Sequence, residues 1–378
     1  MFDVKEPAID TRSIEQEGDF VKINKVDHVE FYIGNAKQAT FYWSHLGFKP
    51  VAYTGLETGN RRYASWLMEQ GKIRILLTSA YDPHDPIAAH CMLHGDGVKV
   101  IALEVDDVEQ VWSETIERGA VGVHAPNDHV DRNGRLRTAA IQCYGQTLIK
   151  FVERKSYQGA FMPTFEAIES PIKVQAAGLQ AIDHIVGNVE LGKMNEWVEW
   201  FHKVLGFRQI VHYDDKVIHT EYSALMSKVM ANGNSRIKFP INEPAQGRKK
   251  SQIEEYIQFY NGPGVQHLAL ITGDIIKTVR HLRDQGIEFL RVPDVYYDAL
   301  PERIGKINES YKDIKELGIL ADRDDEGYLL QIFTRPIQDR PTVFLEIIQR
   351  RGSRGFGVGN FKALFESIEI EQARRGNL

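Results

Sequence analysis

Two histidines and one glutamate carry the most chemistry in this sequence: His184 in IDHIVGNV, His267 in VQHLALI and Glu346 in TVFLEIIQR. Each lies in a short apolar run of the kind that forms a buried strand. An ionised carboxylate there is costly unless a cation, a set of hydrogen bonds or a proton compensates it. Taken singly, each of the three could be an internally paired polar group, because buried polar groups normally are paired. Taken together, they match a facial set of two histidines and a carboxylate, which leaves three cis positions of a divalent metal open. That set suits high-spin Fe(II), although Mn, Co and Zn accept the same ligand types and type alone leaves the metal open. Open positions point to catalysis rather than structural support. A divalent ion with one glutamate keeps a charge of about +1, which an anionic chelating substrate such as a 2-oxo carboxylate would neutralise.

The three residues stand out because the chain is a repeat. VDHVEFYIGNAKQATFYWSHLGFKPVAY from Val26 reads against IDHIVGNVELGKMNEWVEWFHKVLGFRQIVHY from Ile182, each a D-H-[VI] strand, a helical run and an L-G-F turn. Further on, VKVIALEVDD from Val98 matches VQHLALITGD from Val265, and LIKFVER around Lys150 matches FLEIIQR around Glu346. In this register the first copy holds His28, Val100 and Lys150 where the second holds His184, His267 and Glu346. Val100 cannot ligate and Lys150 repels a cation, so His28 is expected to be a packed histidine. A metal is expected in the second half alone.

Composition bounds the remaining possibilities. At 378 residues two domains are expected, each with its own core. A net charge of -6 and the absence of a long basic run argue against nucleic acid or an anionic membrane as partner. Cys91 and Cys143 are the only cysteines, and no CxxC or Cys/His finger spacing occurs, which argues against a disulfide framework and a structural zinc finger. The first twenty residues are acidic without an apolar h-region, and no run approaches the ~18 apolar residues of a membrane span. A soluble cytoplasmic protein acting on a small molecule is expected. The glycines of GFGVGNF at Phe356 have neither a preceding Rossmann strand nor a following GK[ST], so they make no nucleotide site.

Each half divides into two modules of strand, helix and several strands, with helices closing at Gly47, Gly119, Gly206 and Gly286. Thr272 or Asp274 is expected to cap the last of these helices. Four such modules make an α+β protein of two curved sheets. The expected division is 20–155, a linker 156–178 and 179–378. Two segments of the second half, Ile241 to Gly264 and the tail from Arg350, have no evident counterpart and are expected to wall and cover a pocket. In the tail, Phe361, Leu364, Phe365 and Ile368 form one apolar helical stripe.

A series of motifs in the second half resembles the 4-hydroxyphenylpyruvate dioxygenase family of the vicinal oxygen chelate superfamily. In order, they are DHIVGNV at Asp183, PINEP at Pro240, KSQIEEY at Lys250, GPGVQHLAL at Gly262, ELGILADRDDEGYLLQIFTRP at Glu316, RPTVFLEIIQR at Arg340 and GFGVGNFKALFESIE at Gly355. The resemblance implies paired βαβββ modules forming one curved open barrel per domain, with a C-terminal helix over the active site. It implies one Fe(II) per chain held by His184, His267 and Glu346. Phe333 and Phe361 would flank the substrate ring, with Gln331 among the catalytic residues. Ser223, Pro240, Asn242, Gln252, Gln266, Phe344, Phe356 and Asn360 would complete the substrate pocket. Gln331 and Phe333 share a strand face, whereas Gln266 is expected to point away from His267 and act from behind it. The implied reaction takes 4-hydroxyphenylpyruvate and O2 to homogentisate and CO2 in tyrosine catabolism, in a homo-oligomer. 4-Hydroxymandelate synthase, and a non-catalytic binding protein of the same fold, are the competing readings.

Overall fold

Alternating apolar residues drive four copies of one supersecondary unit. The structure, a computed structural model, describes residues 20–213, 224–245, 247 and 249–377. The acidic N-terminal stretch through residue 19 lies outside them.

The first half runs β1 (Ile23–Tyr32), α1 (Ala36–His45), β2 (Lys49–Thr54), β3 (Tyr63–Gln70), β4 (Ile73–Ala80), α2 (Pro86–His94), β5 (Gly97–Val105), α3 (Val108–Glu117), β6 (Gly122–Asp131), β7 (Gly134–Gln142) and β8 (Leu148–Glu153), with a short β9 (Glu166–Ala167). The second runs β10 (Leu179–Asn188), α4 (Met194–Leu205), β11 (Arg208–Tyr213), β12 (Ala224–Ala231), β13 (Lys238–Ala245), α5 (Gln252–Tyr260), β14 (Gly264–Thr272) and α6 (Ile275–Asp284). Three short helices, α7 (Val295–Asp298), α8 (Leu300–Ile304) and α9 (Tyr311–Leu317), precede β15 (Leu320–Asp324), β16 (Gly327–Phe333), β17 (Phe344–Arg351) and the last helix α10 (Val358–Arg374). The sheets have the same order, β6-β7-β8-β5-β1-β4-β3-β2-β9 and β11-β12-β13-β10-β14-β17-β16-β15 read from the opposite edge. Each is two βαβββ modules joined by an antiparallel pair, β1 with β5 and β10 with β14.

The helices start where side chains satisfy their first N–H groups. Asn35, Asp107 and Asp274 accept from the backbones of Gln38, Gln110 and Lys277 at the heads of α1, α3 and α6. Asp274, not Thr272, therefore caps α6. α4 has no such cap, and the Glu243 carboxylate of β13 accepts from Met194 N at 3.0 Å instead. Gly206 closes α4 with φ +69°, a left-handed conformation suited to glycine.

Three expectations need correction. The segment Ile241 to Gly264 does have a counterpart: β13 and α5 occupy the places of β4 and α2, each strand lying parallel to the first strand of its half. The sequences diverge there because the two helices face each other, with His94 stacked on Tyr260 at 4.4 Å. The start of the tail is also repeated, since Arg350 passes under Phe356 as Arg154 passes under Phe161; α10, and the short helices α7 to α9 ahead of β15, are what the first half lacks. Finally, the linker is a packed element. Phe161 is 2 % exposed in a cluster with Ala52, Leu67 and Leu76, joined by Met162 and Phe165, and β9 pairs with β2. It covers the first sheet much as α10 covers the second. One apolar core runs through both halves.

Candidate metal centre

β10, β14 and β17 are adjacent strands, and their register brings the three ligand candidates together. His184 and Glu346 stand on either side of Ala269, and His267 pairs with Val186. The first half has the same geometry: His28 and Lys150 flank Ala102, and Val100 pairs with Glu30. The alignment inferred from sequence is thus the spatial one.

Candidate ligand atoms of His184, His267 and Glu346 all lie within 4.8 Å of one another. Nε2 of His184 is 3.2 Å and Nε2 of His267 is 3.4 Å from Glu346 Oε2. Ligands at ~2.0–2.2 Å from one ion in cis positions stand about 3 Å apart, so these spacings fit a single divalent cation. Each imidazole is also set in the right tautomer. Nδ1–H of His184 donates to Asp183 Oδ2 at 2.8 Å and that of His267 to Gln266 Oε1 at 2.9 Å, turning both Nε2 lone pairs inward. Arg350 fixes Asp183 with two bonds of 2.9 and 2.8 Å.

Burial alone would raise the Glu346 carboxyl, but His184 and then His267 outweigh it and hold the group down at about 2. The histidines divide for a local reason. Burial opposes the charged form of both; it dominates at His267, whose Nδ1 partner is a neutral amide, and lowers its pKa. At His184 the carboxylates of Glu346 and Asp183 prevail and raise it. The site thus offers a cation an ionised carboxylate and, at His267, an imidazole that favours its neutral form, while at His184 the cation takes the place of a proton that the two carboxylates favour.

A cavity opens beside the triad. Its wall includes Pro240, Asn242, Gln252, Gln266, Gln331, Phe333, Phe344, Phe356 and Phe361. Phe344 stacks on His267 at 4.8 Å, and Phe356 meets His184 edge-on at 5.3 Å. Ser223 lies outside the described residues, but Leu225 and Ser227 of β12 line the cavity. Ser227 went unnoticed in the sequence; its position opposite Asn242 on β13 is the signal that marks it. Tyr213, Leu364 and Phe365 also line the wall.

Two residues differ from expectation. Gln266 does not turn away from His267; its flexible amide bends back to the imidazole while its side chain still borders the cavity. Asn360 is off the cavity wall, because the first turn of α10 directs it to Gln331 Oε1, to which its Nδ2 donates at 3.0 Å. Gln331 Nε2 in turn donates to Glu346 Oε1 at 3.3 Å. Tyr296 and Arg303, absent from every sequence motif, complete this line by bonding Asn360 Oδ1 at 2.6 and 3.3 Å. Gly357 makes room for it, since a Cβ there would come 2.0 Å from Gln331 Oε1.

In the first half the histidine and its bracing survive, and the other two candidate ligands do not. His28 Nδ1–H donates to Asp27 at 2.6 Å, and Arg154 grips Asp27 as Arg350 grips Asp183. His28 is fully buried, with its pKa lowered by that burial, and its Nε2 has no partner among the described residues. Lys150 pairs with Glu30 at 3.7 Å where the second half has Glu346 and Val186. No group of three ligand-type residues other than His184, His267 and Glu346 is found among the described residues.

Comparison with known proteins agrees with this geometry. Residues 20–164 match the family described as "Hydroxyphenylpyruvate dioxygenase, HPPD, N-terminal", and residues 181–332 match the Glyoxalase/Bleomycin resistance protein/Dioxygenase superfamily. The chain is 47% identical to a 4-hydroxyphenylpyruvate dioxygenase of Yarrowia lipolytica, covering 98% of both chains. It is 49% identical to one of Aspergillus fumigatus, covering 93% of both. Among solved structures, a mutant of 4-hydroxymandelate synthase from Streptomyces coelicolor superposes with a TM-score of 0.83 at 31% identity, over 93% of this chain and 99% of that one.

Proposed function

The chain belongs to the 4-hydroxyphenylpyruvate dioxygenase family, and from that membership and the buried triad we infer that it converts 4-hydroxyphenylpyruvate and O2 to homogentisate and CO2. The observation that carries the reading is the convergence of His184 Nε2, His267 Nε2 and Glu346 Oε2 on one point beside a phenylalanine-walled cavity. We take the metal to be Fe(II), one per chain, which when bound supplies a redox-active centre able to chelate a 2-oxo acid and react with O2.

The residues of the chain supply position and dryness. Asp183 and Gln266 keep the Nδ1 protons in place, so Nε2 is the atom that His184 and His267 have for a metal. Gln331 holds one Glu346 oxygen, leaving Oε2 for the metal. Phe333, Phe344, Phe356 and Phe361 exclude water and confine the aromatic ring. Ser227, Asn242 and Gln252 offer hydrogen bonds to the polar end of the substrate. Orienting the ring and the side chain together in this way is worth more to such a reaction than acid-base help. Residues 20–155 serve as a structural partner that keeps the fold and not the metal. The chain has no helix among the described residues long and apolar enough to cross a membrane, and we place it in the cytoplasm as a homo-oligomer.

The test is an incubation of the purified protein with Fe(II), 4-hydroxyphenylpyruvate and O2, with separation of products. Homogentisate is expected. 4-Hydroxymandelate would make the chain a synthase instead, and tight binding without O2 uptake would make it a binding protein.

A further inference from the structure

Behind His267 lies a second cavity, of about 420 Å³, that the reaction outlined above does not use. Gln252, Gln266 and Phe344 line both it and the substrate cavity, so these three side chains are the partition between them. At its other end, Pro336, Pro341, Glu371 and Arg375 are shared with an open groove of about 1420 Å³ between the turn at Gly95 and Asp96 and the 335–341 loop. The three spaces thus form a series from solvent to the rear of a candidate metal ligand. The same helix covers two of them: Phe361, Leu364 and Phe365 of α10 face the substrate cavity, while Ile368, one turn on, faces the second.

The middle cavity is zoned. Its outer end is framed by ion pairs, Arg375 to Glu255 at 2.7 Å and Arg335 to Glu371 at 3.2 Å. The rest of its wall is mostly apolar, with Leu290, Tyr256, Ile368 and the Phe344 ring beside Thr334, Thr342, Gln252 and Gln266. Apolar cavities of this kind hold little water and take up apolar gases. A keto acid carrying a phenol could not leave water for such a space without losing its hydrogen bonds and its charge solvation.

We propose that this cavity is the route by which O2 reaches the metal while 4-hydroxyphenylpyruvate fills the substrate cavity beneath α10. The proposal rests on the dioxygenase reading, because it needs a second, apolar reactant. Phe344 and Gln266 stand at the inner end of the route, where the Phe344 ring, stacked on His267 at 4.8 Å, is the side chain that O2 must pass.

Leu290 and Ile368 line this cavity and not the substrate cavity, so filling it with Leu290→Trp or Ile368→Phe tests the route. With metal content equal to wild type, each variant should raise KM for O2 at least fivefold, leave KM for 4-hydroxyphenylpyruvate unchanged and regain wild-type kcat at high O2. Xenon-pressurised crystals of the metal-loaded protein should show a xenon site between Leu290, Ile368 and Phe344 in wild type, absent from Leu290→Trp. Leu290→Phe, a smaller filling, replaces the tryptophan variant if that one does not fold. Wild-type KM for O2 in the filled variants, a rise in KM for the organic substrate alone, or no xenon in the cavity would overturn the proposal. If the wild-type protein consumes no O2 with 4-hydroxyphenylpyruvate, the functional reading fails, and the xenon site still reports separately on the cavity.

Discussion

Gln331 is tied at both ends, receiving from Asn360 on α10 and donating to Glu346 on β17, so it couples the cover of the cavity to a candidate ligand. Gln331→Leu should fold and retain the metal while kcat/KM for 4-hydroxyphenylpyruvate falls about tenfold to a hundredfold, the effect of losing a pocket hydrogen bond worth ~1–3 kcal/mol. Steady-state kinetics with metal analysis checks this, and unchanged kinetics would reduce Gln331 to a packing role. In the other half, the Asp27 side chain is fully buried against Arg154 and His28. Burial alone would raise its pKa, but the bonds from Arg154 and His28 outweigh that and depress it. A depressed carboxylate stabilises the fold fully above its unfolded value of ~3.9, and the contribution is lost as pH falls below that value toward the folded one. Asp27→Asn should therefore cost about 3 kcal/mol at neutral pH, and the gap in urea midpoint between variant and wild type should close progressively below about pH 4. The candidate ligand residues were legible in sequence because they are polar groups in apolar strands. Tyr296 and Arg303 were not, because their partner Asn360 is some sixty residues away and no local pattern records the contact.

The last helix covers the substrate cavity. Its residues Phe361, Leu364 and Phe365 wall the substrate cavity, and its far end is anchored by Arg375 to Glu255 of α5. Truncation after Asn360 spares every candidate ligand and the Gln331 contact. The truncated protein should bind metal yet form less homogentisate per O2 consumed, since an enclosed site protects reactive species from side reactions. O2 uptake and homogentisate recorded together decide the matter, and full coupling would leave α10 as a cover for apolar surface alone. Its apolar spacing was visible in sequence, as were the glycines that close α1, α3, α4 and α6. The equivalence of α2 with α5 was hidden, because each helix is shaped in part by the opposite half: His94 and Tyr260 stack on each other across it. The linker escaped notice for the converse reason. Its Phe161, Met162 and Phe165 are spaced for no regular element, and only the curved sheet beneath them makes them core.

Across the whole molecule, the two halves are one architecture, with one candidate metal site among the described residues. Both keep the Asp-His pair and the arginine that braces it, Asp27, His28 and Arg154 in one, Asp183, His184 and Arg350 in the other. Only the second adds His267 and Glu346 where the first has Val100 and Lys150. The repeat made this asymmetry readable before any coordinates, because strand register converts aligned letters into matched positions. What the alignment could not supply was the joining of the halves into one continuous core, which arises from contacts between dissimilar residues. The central claim is that a single metal is held by the second half alone. The most direct test is the metal-to-chain ratio of wild type, His28→Ala and His267→Ala after identical loading with Fe(II) and removal of loosely bound ion. About one per chain is expected in wild type and His28→Ala and near zero in His267→Ala; loss of metal from His28→Ala with retention in His267→Ala would place the metal in the first half instead.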